Sequence, residues 1–138
     1  MNTYNINDTN FINSNEYQEF IKNNPVVGFL KIRAFAASGA IPISNMKVVV
    51  SKNVNNDNVI FYEGYTNSSG VIEKITLPAP RLEINNMNMP NRTSYLITAT
   101  YSDNNIKTYE INIYENVSVI QNISITPTMN RGSDTIWL

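Results

Sequence analysis

The chain has 138 residues, 42% hydrophobic and 15% charged, with ten basic and eleven acidic side chains giving a net charge of −1. That is the length of one domain, with enough apolar content for a real core. Wholesale disorder is excluded, and there is no clustered basic face of the kind nucleic-acid binding by counterion release requires. Cysteine and histidine are both absent. Disulfide staples, thiolate and imidazole metal sites, and Ser-His or Cys-His nucleophiles are therefore excluded as well. No cofactor and no metal are expected. No apolar run approaches the ~20 residues of a membrane span. Residues 1–10 carry neither a basic residue nor a secretory apolar core, so the reading is a soluble protein made in the cytoplasm.

Three zones follow in chain order: an N-terminal arm over 1–25, a β-rich domain over 26–127 and a tail over 128–138. In the arm, Asn13 and Glu16 have the spacing of a capping box, with Ser14 as the alternative N-cap. Tyr17, Phe20 and Ile21 form one apolar stripe, and Asn24-Pro25 ends the predicted helix. A helix this short is marginal alone and has to lie against something.

The first predicted strand covers 29–35, with Leu30, Ile32 and Ala34 on one face and Lys31 and Arg33 on the other. Strands follow at 46–51, 59–65 and 71–77, with an Asn-rich solvated loop at 53–58. Pro78 and Pro80 are expected to stop the fourth strand. A long connection, 81–92, crosses between sheets. Tyr95, Ile97, Ala99 and Tyr101 point inward from the next strand, and Asp103-Asn104-Asn105 is a hairpin turn. Tyr109, Ile111 and Ile113 share a face of the sixth strand, and Val117, Val119, Ile123 and Ile125 roughly do so in the last. The result is an all-β, two-sheet antiparallel sandwich of about seven strands with a short N-terminal helix and extended termini.

The landmarks Gly28-Phe-Leu-Lys-Ile-Arg33, Gly39-Ala-Ile-Pro-Ile43 before Lys47-Val-Val-Val50, Asn67-Ser-Ser-Gly70, Leu77-Pro-Ala-Pro80 and Val119-Ile-Gln-Asn-Ile-Ser-Ile-Thr-Pro127 come in a telling order. Over roughly 27–127 the chain resembles carboxypeptidase regulatory-like, or transthyretin/Cna-B-like, β-sandwich modules. The Leu-Pro-Ala-Pro variant resembles modules of spore-forming clostridia, including the non-catalytic part of spore cortex-lytic enzymes. The sequence departs from the family at Asn45, where a Gly is usual, and at Tyr101-Ser102, where Gly-Tyr is usual. The resemblance implies a structural, adhesive or docking unit.

Two enzymes with similar sandwiches, hydroxyisourate hydrolases and intradiol dioxygenases, are set aside because each needs histidine. Arg131-Gly132-Ser133 only partly echoes the hydrolase tail. The acids Glu63, Glu73, Glu83, Asp103 and Glu110 are scattered, with no glycosidase pair evident. Glu73 shares strand parity with Val71, Ile75 and Leu77, so it is expected to point inward. It is then either the acid of a Lys–Asn crosslink, as in Cna-B-like adhesins, or a charge guarding an edge strand. The alternation favours the guard, since Lys31 and Asn122 both fall on outward parity. Asp57 among the amides of 53–58 lacks the charge of a calcium loop.

The tail ends Thr135-Ile136-Trp137-Leu138 and holds the only Trp. The two arms either fold back on their own sandwich or reach into a neighbour, where strand addition would give open filaments or rings. The second reading makes the chain a non-enzymatic structural subunit that self-assembles into a homo-oligomer through its arms. Its contacts would be Phe11, Phe20, Ile21, Ile136, Trp137 and Leu138. Its setting would be a spore or cell surface, with cell-wall or spore-coat components as further partners. The alternative is a glycan- or peptidoglycan-binding module, or a docking module for a cell-wall hydrolase.

Overall fold

The computed structural model describes residues 2–83, 89–102 and 105–125, and as backbone alone 128–129 and 135–136. In chain order the elements are β1 (Thr3–Asn5), α1 (Thr9–Ile12), α2 (Asn15–Asn23), β2 (Val26–Ala36), a 3₁₀ turn (Ala37–Gly39), β3 (Ile41–Pro42), β4 (Lys47–Val54), β5 (Asp57–Tyr65), β6 (Val71–Ala79), β7 (Thr93–Tyr101), β8 (Asn105–Ile113), β9 (Ser118–Ile125), β10 (Thr128–Met129) and β11 (Thr135–Ile136). A five-stranded sheet runs β1-β5-β4-β7-β8. A smaller sheet has β2 at its centre, paired with β6 and β3 along one edge and with β9 along the other. Among the described residues β10 and β11 pair only with each other. This is the expected all-β sandwich.

Two pairings differ from the antiparallel expectation. β9 lies parallel to β2 in an unbroken register from Phe29↔Ser118 to Ala36↔Ile125. β1 adds parallel to β5. The connection at 81–92 does cross, since β6 belongs to the smaller sheet and β7 to the larger.

Period-two alternation decides the core. Leu30, Ile32 and Ala34 of β2, Val48 and Val50 of β4, Tyr95, Ile97 and Ala99 of β7, Ile111 and Ile113 of β8, and Ile123 and Ile125 of β9 are all buried. Tyr95 donates its hydroxyl to the Pro78 carbonyl, and burial pushes its ionisation well above the ordinary tyrosine range.

Three local expectations are corrected. First, the stretch 53–58 is a two-residue hairpin. Asn53 pairs with Asn58 and Val54 with Asp57, while Asn55 and Asn56 take φ of 52° and 70°. A twist-matched hairpin turn demands left-handed backbone at both central positions, and asparagine tolerates it. The same tolerance explains Asn45, at φ 61°. Second, β6 runs through Pro78 to Ala79, with Val27 opposite Pro78. β6 is an edge strand, where a missing N–H is affordable. Third, Glu73 faces outward. The register passes from Leu30↔Ile75 to Ile32↔Ile72, so Glu73 and Lys74 together oppose Lys31 in a bulge. One extra residue reverses parity: Ile72 is buried and Glu73 exposed. Glu73 pairs with Lys31 at 3.4 Å on the outer face, and Asn122 accepts from Arg33 there.

The N-terminal arm holds more than one short helix, since β1 and α1 precede α2. Ser14 is the N-cap of α2, its hydroxyl accepting from the Tyr17 N–H at 3.3 Å. The arm lies on its own sandwich. An aromatic series joins Tyr4 to Phe11 (4.8 Å between centroids), Phe11 to Tyr17 (5.2 Å), Tyr17 to Phe20 (6.2 Å), Phe20 to Phe61 (5.6 Å) and Phe61 to Tyr95 (5.2 Å). At the arm's exit, the amide of buried Asn24 donates to the Phe20 carbonyl and accepts from the Thr93 hydroxyl. Thr93→Val leaves that amide oxygen without its donor and is expected to cost about 1–3 kcal/mol. A lower urea midpoint at unchanged slope is the readout; an unmoved midpoint would show that the lock contributes nothing.

Candidate interaction surface

The six residues expected to make contacts between chains separate once placed. Phe11 (6% exposed) and Phe20 (9% exposed) sit in the chain's own core, with Ile21 partly buried against it. Phe11 packs on Tyr4 and Tyr17, and Phe20 on Tyr17 and Phe61, all within the one chain. Ile136 belongs to β11, whose backbone pairs Ile136 with Thr128. Trp137 and Leu138 lie outside the described residues.

Among the described residues the two larger sheets have four edges with unpaired backbone, and proteins that stay monomeric blunt such edges by shortness, charge, proline or bulges. β1 is three residues long. β6 carries the Glu73-Lys74 bulge and Pro78. β8 carries Lys107 and Glu110. β9 is different: Ser-Val-Ile-Gln-Asn-Ile-Ser-Ile has no charge and no proline, and its register with β2 has no bulge. At one end β9 is tied to β8, because Lys107 donates to the Ser124 carbonyl at 2.6 Å. The Ser124 carbonyl therefore points away from β2. By the two-residue period of a strand, those of Ser118, Ile120 and Asn122 do too. Of these, the Asn122 carbonyl accepts from the Gln121 side chain at 2.9 Å. Ile120 stands at the centre of this edge, 56% exposed among outward-facing Ser118, Asn122 and Ser124.

Beside the edge, on the outer face of the smaller sheet, a groove of about 320 Å³ is lined by Phe29, Lys31, Glu73, Lys74, Ser118 and Ile120. The Lys74 ammonium lies 4.5 Å from the centroid of the Phe29 ring. Other concavities exist among the described residues. One of about 560 Å³ lies between α2 and the Asn55-Asn56 turn. One of about 440 Å³, lined by Asn91, Arg92, Ser94, Glu110 and Asn112, is wholly polar. Among the described residues, Asp and Glu form no group of three or more able to hold a metal ion, and no helix is long and apolar enough to cross a membrane. Asp57 accepts from the Asn2 N–H at 3.1 Å, and Glu63 pairs with Lys47 at 3.0 Å. Asp103 lies outside the described residues.

The β9 edge was missed by reading the last strand for its inward residues alone. The available signal was an isoleucine standing at a polar, outward parity in an uncharged strand.

No family model matches the sequence, and no curated protein matches it. Among solved structures the chain is similar to 5-hydroxyisourate hydrolase of Klebsiella pneumoniae, with 16% identity and a TM-score of 0.43 over 80% of this chain and 97% of that one. It is also similar to catechol 1,2-dioxygenase from Acinetobacter sp. ADP1, with 10% identity and a TM-score of 0.38 over 98% of this chain and 53% of that one. At these TM-scores neither likeness bears on what this chain does.

Proposed function

We propose that this chain is a non-enzymatic structural subunit that self-associates by strand addition, with the open edge of β9 as acceptor and the C-terminal strand segment of a second copy as donor. The observation that carries this reading is the contrast among edges: three are blunted, and β9 is uncharged, straight and topped by an exposed isoleucine. Backbone hydrogen bonds give such pairing its affinity and side-chain alternation its register. Because acceptor and donor differ, the contact is head-to-tail and grows into a filament unless its rotation closes a ring. The sequence without histidine or cysteine and the resemblance of 27–127 to structural and docking modules support the same reading. That resemblance is also what suggests a cell or spore surface as the setting.

The test is light scattering after size exclusion over a concentration series. The parent chain is expected to grow in mass with concentration. Ile120→Lys should remain monomeric with its stability unchanged within about 0.5 kcal/mol, as befits an exposed site. A parent chain that stays monomeric throughout, or an Ile120→Lys chain that associates undiminished, refutes the proposal.

A second reading, a glycan-binding module, is favoured by the wholly polar cleft at Arg92, Glu110 and Asn112. It ranks below the first because no exposed aromatic ring lines that cleft.

A further inference from the structure

We infer that the groove beside Ile120 is a receptor for an indole ring, and that its occupant is Trp137 of a second copy of this chain. This rests on the strand-addition reading above and adds to it the side chain that determines register.

The groove's chemistry selects the ligand. Its floor is apolar, with the half-buried Phe29 ring at one end and Ile120 at the other. Its rim is cationic, with Lys74 over the Phe29 ring and Lys31 held by Glu73. A flat, electron-rich ring satisfies both, stacking on the floor while presenting its face to an ammonium, and indole does this best. The way in is from the β9 edge. On the outer face Ser118 is level with Phe29 and Ile120 with Lys31. The small Ser118 therefore leaves a lane from the edge to the Phe29 ring, with Ile120 as its side wall.

The sequence supplies one indole, Trp137, directly after the extended pair Thr135–Ile136. In a strand laid on β9 and continued through residue 138, alternation would put residues 136 and 138 on one face and residue 137 on the other. A strand laid on β9 with Ile136 toward the side where Val119 and Ile123 stand therefore delivers Trp137 to the side of Ser118 and Ile120. Neighbouring strands are about 4.8 Å apart, so a large ring entering beside Ser118 can cover that residue and meet Phe29. Within one chain, β11 pairs with β10 and not with β9. We therefore assign the strand that fills the edge to another copy.

A single tryptophan makes the test direct. Emission and acrylamide quenching are followed over the concentration series used for mass. The emission is expected to shift to the blue and quenching to fall in step with association. Ser118→Tyr blocks the lane without altering the β9 backbone edge and should weaken association about tenfold or more, as loss of a buried aromatic anchor does. Trp137→Ala should do the same. An equimolar mixture of Ile120→Lys and Trp137→Ala chains pairs one intact donor with one intact acceptor and should give a 1:1 dimer that neither forms alone. Association that persists in Ser118→Tyr with an equally shielded indole overturns the groove assignment while leaving strand addition standing. Association with a fully quenchable indole does likewise. A blue-shifted emission independent of concentration overturns the second-copy assignment. A parent chain that never associates removes both.

Discussion

Phe20→Ala is expected to lose about 3–5 kcal/mol of folding free energy, the range for truncating a buried aromatic ring. Against a total of about 5–15 kcal/mol for a domain, that is a large fraction. The ring is 9% exposed and is the joint of the aromatic series, with Tyr17 on one side and Phe61 on the other. Its loss leaves a void against Tyr17 and Phe61 and loosens α2 together with the α1 and β1 residues stacked beyond it. Urea unfolding at 25 °C measures the effect, with exposed Lys22→Ala as the control expected within about 0.5 kcal/mol. A loss below about 1 kcal/mol would show that the arm is not part of the core. The same variant separates stability from assembly. Phe20 is covered within its own chain, so folded Phe20→Ala protein should associate as the parent does.

Gly70→Ala is expected to cost about 2–5 kcal/mol, from about 1–2 for left-handed backbone and 1–3 for overpacking. Gly70 has φ of +75°, and a Cβ there would lie 2.4 Å from the Ala34 carbonyl oxygen and 3.0 Å from the Ile43 nitrogen. Neither can yield, because the Ala34 N–H donates to the Gly70 carbonyl at 2.7 Å and the Ile43 N–H to the Ala34 carbonyl at 3.0 Å. The Asn67 side chain fixes the turn from the other side by accepting from the Ser69 and Val71 N–H groups at 2.9 and 3.0 Å. Gly39→Ala is the comparison: φ is +94° but nothing lies within 4 Å of the added carbon, so only backbone strain remains. Thermal and urea unfolding of both variants should place Gly70→Ala well below Gly39→Ala. Equal losses would mean that the crowding at Ala34 and Ile43 relaxes freely.

The seven long strands were legible because alternation is a local signal, and Leu30-Lys31-Ile32-Arg33-Ala34 declares its faces without help. β1 was not, since Thr3-Tyr4-Asn5 has no strand pattern and is recruited only by the edge of β5. Glu73 was misread because a bulge leaves no mark on a period-two pattern and is set by the register with β2. The arm's rings were recognisable as apolar groups needing cover. Only the fold supplies Phe61 and Tyr95 as that cover, so the choice between its own core and a neighbour's was undecidable from spacing. The parallel pairing of β9 with β2, on which the candidate surface depends, is equally remote from local signals.

That pairing also orders events in time. Arg33 and Asn122, neighbours across β2 and β9, are 89 residues apart in the chain, whereas the arm meets Asp57 from Asn2 across 55. Distant closures carry a larger entropic cost and form late. On the ribosome the first half of the larger sheet can close while the centre of the smaller one still lacks a partner along one side. The β9 edge thus comes into being only after β2 to β8 have been made, and a chain that stops short of Ser118 does not present it.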